Sequence, residues 1–133
     1  MKKNFLCVFL LILFFSCEKK ESNLPLNPLE KLSFSGTFET INSENISGTV
    51  LLNISQGYYE CKTNLPYGNG AGKLEIDDST LNFIDTLFFA IPSLYGPSYV
   101  LSGKHNYSFN GENLKIWKTK NVGEIIYRLT KKN

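Results

Sequence analysis

Cysteine and histidine, which supply much of the catalytic and metal-binding chemistry of proteins, are scarce in this chain of 133 residues. It has three cysteines and one histidine. Cys7 lies in an apolar N-terminal run and Cys17 follows that run, so Cys61 is the only cysteine in the remaining sequence. A single thiol excludes a disulfide framework. His105 has no carboxylate or thiolate at ligand spacing, and we therefore predict no metal site and no cofactor.

The chain also lacks a hydrophobic run long enough to cross a bilayer. The apolar segment 5–15 is shorter than the roughly 20 residues that a transmembrane helix requires. It follows the basic start Met1-Lys2-Lys3 and is followed by the small residue Ser16. A basic start, a short apolar core and a small residue at the boundary are typical of a secretory signal peptide. We assign residues 1–16 to such a signal.

A cysteine stands directly after this boundary. The stretch "FFSC", residues 14–17, resembles the lipobox of bacterial lipoproteins, in particular those of the Bacteroidetes type. The resemblance implies that Cys17 receives lipid and anchors the chain in the cell envelope, at the outer membrane. It does not distinguish the periplasmic face of that membrane from the surface face. A plain signal peptide with an incidental cysteine and an uncleaved anchor are the alternatives. Residues 17–31, polar and with Pro25 and Pro28, are predicted to form a spacer before the folded domain.

Charge of one sign is not in excess once the leader is set aside. The formal net charge of +2 comes from Lys2 and Lys3, and residues 18–133 carry twelve basic and twelve acidic side chains. Balanced charge on an exported, lipid-anchored chain argues against a nucleic-acid partner.

Helical periodicity is absent from residues 32–133, which we predict to be a single domain. Short β-branched and aromatic runs alternate with glycine, asparagine, aspartate and serine turns. The pattern predicts eight strands, near residues 33–41, 47–55, 57–63, 71–77, 80–85, 98–109, 112–119 and 123–131.

The Asn110-Gly111 pair predicts a two-residue type I′ hairpin between the sixth and seventh strands, because a type I′ turn needs positive φ at both central residues. This register pairs Phe109 with Glu112. It also pairs Lys104 with Trp117 on the outer face, and it turns His105 and Tyr107 toward the interior.

Eight hairpin-linked strands with one apolar face must bury that face and protect two edges. Closing the meander does both, so we predict an all-β fold, an antiparallel eight-stranded up-and-down barrel, with a β-sandwich as the alternative. The stretches "FSGTFET", "LEIDDSTLNFID", "YVLSGKHNYSFNGENLKIWK" and "IIYRLTK" resemble small lipocalin-like (calycin-type) lipoproteins over most of residues 33–131. That resemblance implies a binding barrel, although this body is shorter than a typical ligand-carrying lipocalin.

One segment interrupts the regular spacing of strands. Residues 85–99, "DTLFFAIPSLYGPSY", are apolar for a surface connection and contain Pro92 and Pro97. They are predicted to form either a lid over an apolar ligand or a plug that completes the core. The residues that we predict to contact a ligand come from this segment and from the inward face of the sixth strand: Phe88, Phe89, Leu94, Tyr95, His105 and Tyr107.

No enzymatic constellation is present in the sequence. Cys61 lacks a basic or helix-terminal setting and is predicted to be a small buried hydrophobe. Asp77-Asp78 fits a turn, and the glycine-rich residues 67–72 precede a strand rather than a helix, as a flexible loop would. Two hypotheses follow. One is a lipid-anchored barrel that binds a small apolar ligand. The other is a filled barrel that contacts an envelope protein, for instance as a protease inhibitor, with Trp117 over Lys104 as an outer patch.

Overall fold

The computed structural model describes residues 23–41, 45–65, 68–86, 101–120 and 123–133. Eight strands account for most of them. Their bounds are β1 Leu32–Ile41, β2 Ser47–Ser55, β3 Tyr58–Thr63, β4 Gly70–Ile76, β5 Thr80–Asp85, β6 Gly103–Phe109, β7 Asn113–Lys120 and β8 Gly123–Lys131.

Each strand pairs antiparallel with the next, and β1 also pairs with β8, which closes the sheet into a barrel. The closing register runs from Phe34 opposite Lys131 to Ile41 opposite Glu124. Closure confirms the predicted eight-stranded meander barrel and excludes the sandwich, since the sheet keeps no free edge. β6 starts later than predicted, at Gly103. Its φ of 76° is left-handed and interrupts the extended backbone that the apolar sequence before it suggested.

Period-two alternation separates an inner from an outer face, as predicted. Both His105 and Tyr107 are buried on the inside of β6. The buried core consists of Leu26, Leu32, Phe34, Phe38, Val50, Leu52, Ile54, Tyr59, Cys61, Leu74, Leu81, Phe83, Leu101, Tyr107, Phe109, Leu114, Ile116, Ile125, Tyr127 and Leu129.

Part of the predicted glycine-rich loop is in fact strand. Gly70 and Gly72 belong to β4, whereas residues 66 and 67 lie outside the described residues. A Cβ on Gly72 would stand 1.9 Å from the carbonyl oxygen of Ile84. The absent side chain therefore allows β4 and β5 to approach closely.

The predicted type I′ hairpin at Asn110-Gly111 is wrong. Phe109 pairs with Leu114 rather than Glu112, so the connection has four residues. Only Gly111 has positive φ, while the Asn110 side-chain oxygen accepts hydrogen bonds from the amides of Glu112 (3.0 Å) and Asn113 (2.7 Å). The side chain of Asn110 thus organises the turn in which it lies. The pairing shifts by two residues, which preserves the inner and outer faces.

The β2–β3 connection has the two positive φ values that were expected at Asn110-Gly111. Gln56 (φ 51°) and Gly57 (φ 77°) lie between the paired residues Ser55 and Tyr58. Because sheet twist favours this mirror-image turn, the two-residue loop forms even with glutamine at its first position.

The barrel has two different ends. The turn end is formed by the β2–β3, β4–β5 and β6–β7 connections and by the end of β8. The loop end is formed by the other four connections, all of which include residues outside the described ranges, among them 87–100.

Residues 23–31 cross the turn end. The Leu24 amide donates to the Phe109 carbonyl (2.7 Å), and the Gly57 amide donates to the Pro28 carbonyl (2.9 Å). Between these contacts Leu26 is buried in the core cluster. This differs from the expected free spacer over 17–31, because its second half packs on the barrel and supplies a core residue.

Candidate ligand site in the barrel interior

The structure describes two of the six predicted ligand-contact residues. Phe88, Phe89, Leu94 and Tyr95 lie outside the described residues, as do Cys17 and the predicted signal peptide, residues 1–16. Both His105 and Tyr107 are directed into the barrel by the alternation of β6, with 4% and 2% of their surfaces exposed.

His105 is held in an aromatic environment. Its Nδ1–H donates to the Gly103 carbonyl oxygen at 3.0 Å. Its ring lies edge-on to Phe83, at a centroid distance of 5.5 Å, and to Tyr127, at 6.3 Å. The inward direction predicted for the His105 side chain is confirmed.

Two tyrosine hydroxyls lie in this interior without a described hydrogen-bond partner. They belong to Tyr107 and Tyr127. Both residues flank Ile116, which pairs with Tyr107 on one side and with Tyr127 on the other. Tyr127 is fully buried, and that burial raises the pKa of its hydroxyl. A buried hydroxyl without a partner costs on the order of 1–3 kcal/mol, so each of these phenols would be stabilised by a polar group beside it.

Tyr127 was not among the residues predicted to contact a ligand. The alternation of "EIIYRLT" gives the direction of its side chain. Whether the hydroxyl has a hydrogen-bond partner depends on residues from other strands. The alternation along one strand predicts the direction of a side chain but not its partner. The signal that could have found it is a phenol at the centre of an inward apolar series.

Tyr59 shows how the same interior satisfies a third tyrosine. Its hydroxyl donates to the Leu101 carbonyl oxygen at 3.0 Å, and its ring packs edge-on to Phe83 at 4.9 Å. Burial, with a smaller contribution from Asp85, raises the pKa of the Tyr59 hydroxyl. Tyr59 is therefore a neutral donor that ties β3 to the chain before β6.

Cys61 offers no nucleophile. It is fully buried, and burial raises the pKa of its thiol to about 12. The thiol stays protonated at neutral pH, whereas nucleophilic cysteines need a thiolate. Its predicted role as a buried apolar residue is confirmed.

The acidic pair behaves as a turn, as predicted. The Asp77 carboxylate accepts a hydrogen bond from the Asp78 amide at 2.9 Å, and the Asp77 amide donates to the Thr80 carbonyl oxygen at 2.9 Å. Among the residues that the structure describes, no three histidine, cysteine, aspartate or glutamate side chains gather as metal ligands. The described part of the chain also contains no helix of the length and hydropathy needed to cross a membrane.

A pocket of about 300 Å³ lies at the turn end, where β6, β7 and β8 meet residue Asn23. Its cations already have partners. Lys115 lies 5.2 Å from the centre of the Trp117 ring, and Arg128 forms a salt bridge with Glu39. The predicted patch of Trp117 over Lys104 is wrong, because the two-residue shift in register pairs Trp117 with Asn106.

The fold defines the chain as a closed antiparallel meander barrel whose interior combines apolar packing with a few buried phenols. Comparison of the chain with protein-family models, with curated proteins and with solved structures finds no match.

Proposed function

We propose that this protein is a lipid-anchored lipoprotein of the bacterial envelope whose lipocalin-like barrel binds a small, largely apolar ligand. Cys17 carries the lipid and holds the barrel at the outer membrane. The ligand enters at the loop end, where Phe88, Phe89, Leu94 and Tyr95 belong to the connection between β5 and β6. It reaches the interior face of His105 and Tyr107.

The observation that carries the binding function is the pair of unpartnered hydroxyls on Tyr107 and Tyr127. The surrounding interior is apolar and aromatic, so only a ligand that is apolar over most of its surface fits it. A carbonyl, carboxylate or hydroxyl on such a ligand would accept a proton from one of these phenols. This supports an amphipathic molecule with one polar group, of which a fatty acid is the simplest example.

Binding is tested with a fluorescent fatty-acid analogue. The protein used is residues 18–133, which lacks Cys17 and therefore carries no lipid. We expect saturable binding that weakens about tenfold in Tyr127→Phe, since a lost hydrogen bond from a buried donor is worth roughly 1.4 kcal/mol. Tyr58→Phe is the matched control, because Tyr58 is 56% exposed on the outer face and should bind unchanged. If the wild type and Tyr127→Phe bind the fatty-acid analogue with equal affinity, the Tyr127 hydroxyl does not contact the ligand.

The anchor is tested separately by Cys17→Ser. We expect this variant to lose incorporation of labelled fatty acid and to leave the membrane fraction, because acyl chains supply nearly all of the membrane affinity. A Cys17→Ser variant that still sediments with membranes, together with an unlabelled wild type, would contradict the lipoprotein assignment.

The second candidate is a filled barrel that acts by contacting an envelope protein, for instance as a protease inhibitor. It is favoured by the dense interior, where Phe34, Phe38, Phe83 and Tyr127 are at most 1% exposed. A barrel filled by its own side chains has no room for a carried molecule. Failure of the wild type to bind the fatty-acid analogue, with the hydroxyls of Tyr107 and Tyr127 satisfied by water, would favour this candidate.

A further inference from the structure

The turn end of the barrel carries exposed large apolar side chains. Among the described residues, Leu24, Leu29, Tyr58 and Ile84 are the large hydrophobics with substantial exposure. The first three lie at the turn end. Leu24 lies beside Gly111 in the β6–β7 turn, and Tyr58 directly follows the β2–β3 turn. Ile84 lies elsewhere, on the outer face of β5.

Leu29 is held outward by an ordered turn. The Asn27 side-chain oxygen accepts from the Leu29 amide (3.1 Å), and the Asn27 carbonyl accepts from the Glu30 amide (3.3 Å). Pro28 is fixed to Gly57, which places Leu29 near Tyr58. Leu29 therefore has 73% of its surface exposed at the tip of a turn whose hydrogen bonds do not involve its side chain.

The turn end is also where the chain approaches the proposed anchor. Asn23 accepts a hydrogen bond from the Phe109 amide at 3.0 Å, which fixes it at the β6–β7 turn. Six residue steps separate it from Cys17, a span of at most about 20 Å. A lipid on Cys17 therefore keeps the turn end, and not the loop end, within reach of the bilayer.

We propose that the turn end is a lipid-contact surface, in which Leu24, Leu29 and Tyr58 dip into the membrane interface while the loop end points away from it. The inference rests on the proposed anchor at Cys17. Weak contacts are enough to hold the turn end at the bilayer, because a short tether gives it an effective concentration of the order of millimolar there. Tyrosine and leucine suit this position, since a phenol favours the headgroup region and an aliphatic side chain the acyl boundary.

The contact is apolar rather than electrostatic, because charges of both signs are present at the turn end. The exposed charged side chains there include Lys31, Lys73, Lys131 and Lys132, opposed by Glu30, Asp77, Asp78 and Glu112. Vesicles of zwitterionic phosphatidylcholine should therefore be sufficient, and high salt should leave the contact intact.

β2 provides a matched pair of positions for measuring the orientation. Ser47 and Ser55 are its first and last residues, both exposed, one at each end of the barrel and about 27 Å apart for an extended strand. The lipidated protein carrying Ser47→Cys or Ser55→Cys is labelled with a fluorophore and reconstituted into phosphatidylcholine vesicles containing nitroxide-labelled lipid. Native Cys61 is fully buried, so labelling is confined to the introduced thiol.

We expect quenching of the label at Ser55→Cys and none at Ser47→Cys. Adding Leu24→Ser and Leu29→Ser should abolish the quenching, whereas Ile84→Ser, the matched control on the side of the barrel, should preserve it. Equal quenching at both ends of a lipidated, membrane-bound chain would overturn the lipid-contact surface and leave the anchor standing. A chain without lipid on Cys17 and without membrane binding would overturn both.

Discussion

The polar side chains inside this barrel are buried in three chemically different ways. His105 and Tyr59 donate to carbonyl oxygens that the chain provides, so their burial is compensated. Cys61 needs no compensation, since a neutral thiol is only weakly polar. Tyr107 and Tyr127 lack described partners. Alternation predicts which of these side chains point inward, but the partner of each depends on distances between strands that a sequence does not contain.

Cys61 makes stability depend on pH in a defined window. Burial raises the pKa of its thiol to about 12, whereas a thiol in an unfolded chain ionises near 8.5. Between these values the unfolded chain binds fewer protons, so the free energy of unfolding falls as the pH rises. We expect a loss of about 1–2 kcal/mol between pH 8 and pH 10 in urea titrations.

Cys61→Ala is the control for this effect, because it removes the thiol and should flatten the profile up to pH 10. Above that pH, Tyr59 and Tyr127 contribute in the same direction, since burial raises the pKa of each. Parallel profiles for the wild type and Cys61→Ala would show that the thiol is not the group responsible.

At the scale of elements, residue patterns along the strands predicted the strand bounds better than turn residues predicted the register. The β-branched and aromatic runs of β1, β2 and β8 predicted bounds that the structure reproduces within one residue. The β6–β7 register was wrong because Asn-Gly fits two turn geometries, and the side chain of Asn110 stabilises the longer one. The inner face survived that error, since a shift of two residues keeps the direction of every side chain.

The role of Asn110 can be tested by pairing two substitutions. Asn110→Ala removes the acceptor of two backbone amides and should lower the free energy of unfolding by about 1 kcal/mol. Asn110→Asp keeps an acceptor oxygen and should stay close to the wild type. Urea denaturation that ranks both variants equally would contradict a turn organised by the side-chain oxygen.

Barrel closure depends on the close approach of β1 to β8. A Cβ on Gly36 would lie 1.9 Å from the carbonyl oxygen of Arg128, so Gly36→Ala must push the two strands apart. We expect a loss of about 3 kcal/mol in the free energy of unfolding, at the upper end of the cost of overpacking. Thr37→Ala, at the neighbouring exposed position, should change stability by no more than about 0.5 kcal/mol. A Gly36→Ala variant as stable as Thr37→Ala would show that the strands can separate freely.

At the scale of the whole molecule, the segment before β1 is part of the folded barrel. Sequence reasoning did not predict this, because residues 23–31 contain three leucines, Leu24, Leu26 and Leu29, and nothing in their spacing distinguishes the buried one from the exposed two. Its burial depends on an opening at the turn end that exists only after the eight strands have closed. The ends of the domain were therefore harder to predict than its strands.

Leu26 and Leu29 form a matched pair on this segment. Leu26 is 3% exposed within the core, and Leu29 is 73% exposed. Leu26→Ala should cost about 3 kcal/mol by opening a cavity, while Leu29→Ala should change stability by about 0.5 kcal/mol or less. The two free energies of unfolding are compared by urea titration in detergent, away from any membrane. Equal small effects would mean that residues 23–31 do not contribute to the core.

The way in which residues 23–31 cross the turn end has a mechanical consequence for an anchored protein. A pull on the tether first loads the bonds between residues 23–24 and Phe109, then draws Leu26 out of the core, and only afterwards reaches β1. Peeling this segment adds about 30 Å of reach for nine residues while every strand pair of the barrel stays intact. With the proposed anchor at Cys17, residues 23–31 would therefore be extended by tension on the tether before any strand pair of the barrel is loaded.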